Sequence, residues 1–561
     1  MAPTPHIYLI WRQFSGRPAT QEEFRKRLQV FSRSAVIRLA SVLNMLLSQW
    51  SGDYDFTAHE KLVRSFFPPS TAKVVLDSKR VAFHRRQLLY VAQEAMRICN
   101  EDGRQATGPY WGGFGVVLLM ASDLLYVPLP QGANPSAEWA RKICQILPDM
   151  EANGLKDYET KIARSLAIYS RFIEPFRGTP NFYDVQALFE EAAGLPLETF
   201  QALLFGCVAR FANLSKLKGS SNPADFAIGD GWFSKTTVPP EQISSFFNMV
   251  SADSAGYATD VAINNPRPND FKVLSDKPLF RDGQNYFPID LSLLTDKFDS
   301  GPFWKVNGHI PGPQRERFHV FWGQVFEAYI QWLLGSSVDG KTNRLLPNPT
   351  YSATPEQEVC DAIVIAGRCA VLIEIKSSTF TVASKYGDDP GLLDTELQGK
   401  LVGTAARRKG VYQLADAVQR ICKPNSQEHI NGLDPYEITT FFPLILLRDD
   451  LGSAFGMNAY LNYHFQELIK GTKFQRAVTP VFCMSSQDPE KLSPYLHDTP
   501  LATILSARYK SDKDLAFSFW ATENTVLSKK GPISPTVLAR ETEQLVQLAQ
   551  SRLGLEDEVE S

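Results

Sequence analysis

Residues 360–378 read CDAIVIAGRCAVLIEIKSS, and this stretch predicts the centre of the fold. Two short runs of apolar, largely β-branched residues flank a Gly-containing turn at 366–369, a pattern typical of a β-hairpin. With a two-residue loop, the register of the hairpin places Asp361 directly opposite Glu374. Because side chains alternate between the two faces of a strand, Lys376 lies on the same face as Glu374.

Two facing carboxylates are unfavourable unless a cation lies between them. Carboxylates whose Cβ atoms lie about 5 Å apart repel each other by about 3 kcal/mol at an effective dielectric constant of about 20. The hard oxygen ligands of Asp361 and Glu374 favour Mg²⁺ or Mn²⁺, and Lys376 could hold a water molecule or a phosphate oxygen. The alternative is an exposed hairpin whose charges face water. The three charged residues interrupt otherwise apolar strands, which favours the metal site.

This arrangement resembles the PD-(D/E)xK nuclease superfamily, which has the restriction-endonuclease-like fold. In that family an Asp on one core strand and a (D/E)xK triplet on the next strand bind metal and activate water. The triplet here is Glu374-Ile375-Lys376, the preceding acid is Asp361, and Cys360 replaces the usual Pro. The resemblance implies that both acids hold the metal, that the Ile375 carbonyl also ligates it, and that Lys376 orients the nucleophile or stabilises the transition state.

Two flanking residues extend the resemblance. Many members carry a Glu on the helix before the hairpin, and Glu327 is the only acid in the strongly helical segment 317–334. Many also carry a Gln on the helix after the triplet, and Gln413 is the match. Glu327 is expected to complete the metal shell or to support it, and Gln413 to reach the active site. The alternatives are a solvated or salt-bridged position for Glu327 and an ordinary exposed helix face for Gln413.

The chain is expected to be an α+β or α/β multidomain protein, since 561 residues exceed a single core. A mostly helical N-terminal half should precede a restriction-endonuclease-like αβββαβ core. Residues 436–447 and 478–484 read as further buried strands of that core. The expected limits are a helical domain at 1–220, a linker and small β element at 221–310, the nuclease core at 311–500, and a C-terminal helical extension with an acidic tail at 501–561.

The charge balance places any nucleic-acid contact on a local surface. The net charge is −3, from 58 Lys and Arg against 61 Asp and Glu, so no overall basic field attracts nucleic acid. The segment 400–423 is the most basic candidate, with only Asp416 opposing its cations. Its predicted nucleic-acid-binding residues are Lys400, Arg407, Arg408, Lys409 and Arg420. The alternative is a solvated basic face.

The cysteine pattern and the hydropathy of the sequence argue against disulfide-rich, zinc-binding and membrane-spanning proteins. The seven cysteines include no CxxC pair, so neither a disulfide framework nor a zinc site is indicated. No signal peptide opens the chain, and no apolar run is long enough to span a membrane. A cytoplasmic location without membrane association is expected.

These patterns together predict a Mg²⁺- or Mn²⁺-dependent nuclease that hydrolyses nucleic-acid phosphodiester bonds, with DNA as the expected substrate. Its large accessory region is similar to those of prokaryotic restriction and anti-phage defence effectors, which is an analogy only. The alternatives are a DNA repair or recombination nuclease, and a non-catalytic nucleic-acid-binding or sensing protein that retains the fold. The N-terminal helical half is expected to contact a protein partner, to self-associate or to recognise a nucleic-acid structure.

Overall fold

The computed structural model describes residues 7–47, 55–105, 111–126, 129–153, 158–211, 222–341, 343–513, 515–516, 527 and 537–554. The predicted acidic tail lies outside these residues. The described part of the chain is α+β, with helices in the first half and mixed sheet in the second.

The described residues form a series of helices, numbered here in chain order. They are α1 (Trp11–Ser15), α2 (Gln21–Leu28), α3 (Arg33–Leu47), α4 (Phe56–Phe66), α5 (Pro69–Asp77), α6 (Arg85–Ile98), α7 (Trp111–Leu125), α8 (Pro135–Asn153), α9 (Tyr158–Ala167), α10 (Val185–Ala193), α11 (Leu197–Ala209), α12 (Pro240–Val250), α13 (Ser254–Asn264), α14 (Lys272–Asp276), α15 (Leu291–His309), α16 (Arg315–Ser337), α17 (Val382–Tyr386), α18 (Pro390–Leu397), α19 (Gly410–Cys422), α20 (Met457–Ile469), α21 (Gln487–Leu492), α22 (Leu501–Ser511) and α23 (Ala539–Leu553).

The strands form one large and two small sheets. The strands are β1 (Ile228–Gly229), β2 (Ser251–Asp253), β3 (Leu279–Asp282), β4 (Asn285–Pro288), β5 (Asn343–Pro347), β6 (Thr350–Tyr351), β7 (Thr354–Glu358), β8 (Ala362–Ala366), β9 (Cys369–Lys376), β10 (Thr440–Leu447), β11 (Ala477–Val478) and β12 (Phe482–Ser485). The main sheet has the order β11-β10-β9-β8-β5, and β12 also pairs with β10. The smaller sheets are β1-β4-β3-β2 and β6-β7.

The main sheet is antiparallel on one side and parallel on the other. β5, β8 and β9 are antiparallel neighbours, whereas β10 runs parallel to β9 and to its other partners, β11 and β12. A parallel connection from β9 to β10 needs a crossover, and the chain between these strands includes helices α17, α18 and α19. The element order through this region is therefore helix, three antiparallel strands, helix and parallel strand, with the short β6-β7 pair inserted after β5.

The central hairpin has the predicted register. Ala366 pairs with Cys369, and Ala362 pairs with Ile373. Gly367 in the turn has a φ of 56°, in the left-handed region that glycine enters without a Cβ clash. The ladder ends one position short of Asp361, which therefore projects from the end of β8 beside the last residues of β9.

The two faces of the main sheet bury different apolar clusters. On β9, Ile373 and Ile375 pack in the cluster that contains α16, while Leu372 packs in the cluster that contains α19. Strand alternation places Glu374 and Lys376 on the α19 face. The cluster of α16 also takes in α9, and the cluster of α19 takes in α8. The apolar core thus crosses residue 220, and the domain limits stay predictions.

The helices of the described chain differ from membrane spans in length or in hydropathy. No single one of them is long and apolar enough to cross a bilayer. The bent pair α10 and α11 meets the criterion together by length and composition only. Both helices contribute side chains, among them Phe189 and Phe200, to the buried cluster of α16.

Acid should destabilise the N-terminal helices through a buried histidine. The His59 Nε2 accepts a hydrogen bond from the Ala82 N–H at 2.9 Å, and burial lowers the pKa of His59 from 6.5 to about 4. Below about pH 6.5, His59 therefore binds a proton readily in the unfolded state but not in the folded state. Stability present above about pH 6.5 should be lost as the pH falls towards about 4, by up to about 3 kcal/mol.

The matched variant is His59→Gln, whose amide oxygen can accept the same bond but does not titrate. Melting temperatures measured at about pH 7.5 and about pH 5 should differ less in this variant than in the wild type. Buried His84, whose pKa is also lowered, leaves part of the dependence in place. An equal loss in both proteins would contradict the role of His59.

Candidate active site at the end of the central hairpin

Asp361, Glu374 and Lys376 meet at the end of the hairpin. The Lys376 ammonium contacts the Glu374 Oε2 and lies 3.5 Å from the Asp361 Oδ2. The Ile375 N–H donates a hydrogen bond to the same Asp361 oxygen at 2.5 Å. The cation expected between the two carboxylates is therefore supplied, in this structure, by Lys376 itself. Backbone and ammonium together orient the carboxylate of Asp361.

Glu374 is the most deeply buried of these groups. It is 0% exposed, and its Oε1 has no hydrogen-bond partner among the described residues. Burial raises the pKa of Glu374 to about 8; the charge of Asp361 adds to the rise, and Lys376 opposes it. A buried carboxylate oxygen without a donor is costly for folding and remains available as a ligand.

Lys376 remains a cation in spite of its burial. Desolvation would lower the pKa of this lysine, but the charges of Glu374 and Asp361 outweigh that effect and raise it. An ammonium held between two acids offsets one of their two negative charges, whereas a divalent metal ion would offset both.

The residues present fit a hard divalent cation. Both acids offer carboxylate oxygens, and the Oε1 of Glu374 is the unpartnered one. Asp361, Glu374 and the carbonyl of Ile375 would hold Mg²⁺ or Mn²⁺. No group of three or more His, Cys, Asp or Glu side chains in the described part of the chain is arranged to hold a metal ion. The candidate site is therefore a pair of acids with a lysine.

Helix α16 brings Glu327 towards the same place. The Gln331 Nε2 donates to the Glu327 Oε1 at 3.1 Å and to the Asp361 carbonyl at 2.9 Å, so one amide joins the helix to the start of β8. Burial raises the pKa of Glu327 to about 7, and the charges of Asp361 and Glu358 add to the rise. The position of Glu327 is consistent with a supporting role beside the two acids.

Three residues near the site escaped the sequence interpretation. Gln331 follows Glu327 by one helical turn, and that spacing was the available signal. Asn348 donates its backbone N–H to the Asp361 carbonyl at 3.1 Å, with a φ of 44° that asparagine tolerates better than most residues. Glu358, at the end of β7, adds negative charge, and nothing in the sequence pattern linked it to the hairpin.

Gln413 lies on the helix that covers the Glu374 face of the sheet, but no contact among the described residues joins its side chain to the site. It lies half-buried on α19, which packs against β9 and β10. Within the described residues, no hydrogen bond connects its side chain to Asp361, Glu374 or Lys376. Its role as a site residue stays a prediction.

Three of the five predicted nucleic-acid-binding residues are neutralised by acids. Lys400 pairs with Glu396 at 2.9 Å, and Arg408 pairs with Asp416. Arg420 pairs similarly, at 3.0 Å, with Glu428, and it stacks over the Tyr351 ring. The positive charge counted for segment 400–423 is therefore smaller in the folded protein, because Glu396 and Glu428 lie outside that segment.

Arg407 and Lys409 are the remaining members of the predicted surface. Arg407 is exposed and Lys409 is half-buried at the start of α19. Neither side chain forms an ion pair with the described residues. Of the five predicted residues, these two are the ones without an acid partner in the described part of the chain.

Glu374→Gln should leave the metal-free protein as stable as the wild type or more so. The substitution removes a buried charge beside Asp361, and Lys376 retains that acid as its partner. The matched control is Glu490→Gln. Glu490 is equally buried, but both of its carboxylate oxygens accept hydrogen bonds from Arg164 at 3.1 Å, whereas Glu374 has one unpartnered oxygen and a second acid beside it. Neutralisation of Glu490 should therefore cost about 3 kcal/mol. Thermal melting in a chelator measures both, and a larger loss for Glu374→Gln would show that this carboxylate is structural.

A comparison of the chain with family models, curated proteins and solved structures found no match in any of the three. What the site does is therefore inferred from its own residues and geometry.

Proposed function

We propose that this protein is a metal-dependent nuclease that hydrolyses nucleic-acid phosphodiester bonds, with DNA as the expected substrate. The observation that carries the proposal is the meeting of Asp361, Glu374 and Lys376 on one face, at the end of an otherwise apolar hairpin. The order of helix, three antiparallel strands, helix and parallel strand supports a restriction-endonuclease-like core.

A purely structural role accounts poorly for this cluster. Three charged groups lose most of their hydration at the end of β9, and ion pairs in such places rarely stabilise a protein more than apolar residues of similar size would. The free Oε1 of Glu374 adds a further cost. Unfavourable groups that converge at one place are typical of functional sites.

Each residue has a distinct task under this proposal. Mg²⁺ or Mn²⁺, when bound, would lower the pKa of a water molecule and neutralise charge on the scissile phosphate. Asp361 and Glu374 would hold the cation, and the Asp361 carboxylate is oriented for this by the Ile375 N–H. Lys376, released from between the acids, would donate to the attacking water or to a phosphate oxygen. Glu327 would hold the Asp361 segment in place through Gln331.

Cleavage should require both acids, the lysine and a divalent cation. Asp361→Asn, Glu374→Gln and Lys376→Met should each lower the rate by about 100-fold or more, because each removes a group that acts on the reacting phosphate. The assay incubates full-length protein with plasmid, linear and single-stranded DNA and with RNA, in Mg²⁺, Mn²⁺ or EDTA. Glu356→Gln, an exposed carboxylate on β7, is the matched control and should cut normally. Cleavage that persists in excess EDTA would refute the metal requirement.

Binding of nucleic acid should depend on the unpaired cations of the basic surface. Arg407→Gln and Lys409→Gln should weaken binding, and each should reduce the slope of log K against log salt by about 0.9 on duplex DNA. Arg408→Gln is the matched control, since Asp416 already neutralises that arginine. Equal effects at all three positions, measured by titration at several salt concentrations, would show that ion pairing does not decide which cations bind.

A further inference from the structure

A cavity of about 960 Å³ lies between the helical N-terminal region and the end of the main sheet. Its walls include parts of α6, α9, α14 and α15, residues 378–382 after β9, and residues 448–450 after β10. It adjoins the candidate active site, because the Arg448 N–H donates to the Lys376 carbonyl at 2.9 Å. Its volume matches the upper part of the range for ligand pockets, roughly 300–1,000 Å³.

Most charged side chains in the cavity wall are paired within the protein. Arg448 pairs with Asp299 at 3.1 Å, and Lys161 pairs with Asp296 at 2.5 Å. Among the described residues, the lining cations that form no ion pair are Lys277, Lys297 and Lys305, and Asp270 is the unpaired acid. The unpaired charge of the wall therefore favours an anion.

One face of helix α15 lines this cavity with a basic residue, an aromatic residue and two glycines. Lys297, Gly301, Trp304 and Gly308 recur at the spacing of one helix face, and all four line the cavity. The Trp304 side chain is 51% exposed, which is unusual for an indole. One wall thus combines a cation, a half-exposed indole that packs edge-to-face with Phe303, and two positions without side chains.

Two further residues of α15 add polar side chains to the cavity wall. Lys305 follows Trp304 and lines the cavity. Asn307 also lines it, and its Oδ1 is buried without a hydrogen-bond partner in the described part of the chain. An unpartnered amide oxygen is suited to accept a hydrogen bond from an amino group.

We propose that this cavity binds a nucleotide, with its phosphate on Lys297 and Lys305 and its base on the face of Trp304. Cations without acid partners suit a phosphate, and an exposed indole suits a planar base. The amide oxygen of Asn307 would accept a hydrogen bond from the exocyclic amino group of that base. A cavity of this size holds single nucleotides and cannot admit a duplex.

The nucleotide has two sources with the same chemistry. It is either a free mononucleotide or the unpaired part of a strand whose phosphate reaches Lys376; the second source rests on the proposed nuclease function. Occupancy of the cavity does not require cleavage, so binding and cutting can be measured separately.

The test uses full-length protein carrying Glu374→Gln, in EDTA, so that no substrate is cut. Fluorescence polarisation follows a short labelled single-stranded oligodeoxynucleotide, and unlabelled AMP and ATP serve as competitors. Trp304→Ala and Lys297→Gln should each weaken binding by about ten-fold, the effect expected from loss of one stacked base or one phosphate contact. Displacement of the oligonucleotide by micromolar AMP or ATP would identify a free nucleotide as the ligand, and displacement only by longer strands would identify the strand.

Matched controls separate the cavity from the general surface. Trp232→Ala removes another exposed indole, 45% exposed, and Lys470→Gln removes an exposed lysine at the C-terminal cap of α20. Both should bind like the parent, and all variants should melt at the parent temperature. Saturable binding that is unchanged in Trp304→Ala and Lys297→Gln, or no binding of oligonucleotide, AMP or ATP, would overturn the proposal. A protein that binds in the cavity but cuts nothing under any condition would refute the nuclease proposal alone.

Discussion

The Lys376 ammonium between Asp361 and Glu374 is the interaction on which the rest of the structure depends. Two buried carboxylates on neighbouring strands would repel each other in a medium that screens charge poorly. One lysine, two positions along from Glu374, makes that pairing tolerable without a metal. The same geometry places this ammonium beside the carboxylate oxygens that would hold the proposed divalent cation.

Neighbouring elements hold this end of the sheet in place. Helix α16 reaches the start of β8 through Gln331, and β10 reaches the end of β9 through the Arg448 N–H. Tyr329 of α16 donates to Glu490, which also pairs with Arg164 of α9. A chain of contacts thus links a helix of the N-terminal half to the helix that carries Glu327. Helices of the N-terminal half, α9 among them, therefore pack in the same buried cluster as α16.

Local patterns predicted the hairpin well, because strand alternation and a two-residue turn determine register without long-range information. The register of β8 and β9 followed from these rules, although the ladder ends at Ala362 and Ile373, one position short of Asp361 and Glu374. The strand expected at 436–447 is present but shorter, and the strand expected at 478–484 is present as two pieces, β11 and β12. The first begins after a 3-10 turn at Pro435–Glu437, and a break around Pro480, which cannot donate to a ladder, divides the second.

Contacts between distant segments could not be read from the sequence. The segment 400–423 appeared basic because Glu396 and Glu428 lie outside it, although folding pairs them with Lys400 and Arg420. The cavity beside α15 likewise forms from segments up to hundreds of residues apart. Its unpaired lysines are recognisable only once the partners of the other charges are known.

Under the proposed function, a divalent cation replaces the Lys376 ammonium between the two acids. A crystal structure of the wild-type protein grown with Mn²⁺, with diffraction recorded near the manganese absorption edge, tests this directly. The predicted result is an anomalous peak that contacts carboxylate oxygens of both Asp361 and Glu374, with the Lys376 side chain moved out of the space between them. A map without such a peak at saturating Mn²⁺, with Lys376 still between the acids, would contradict the account.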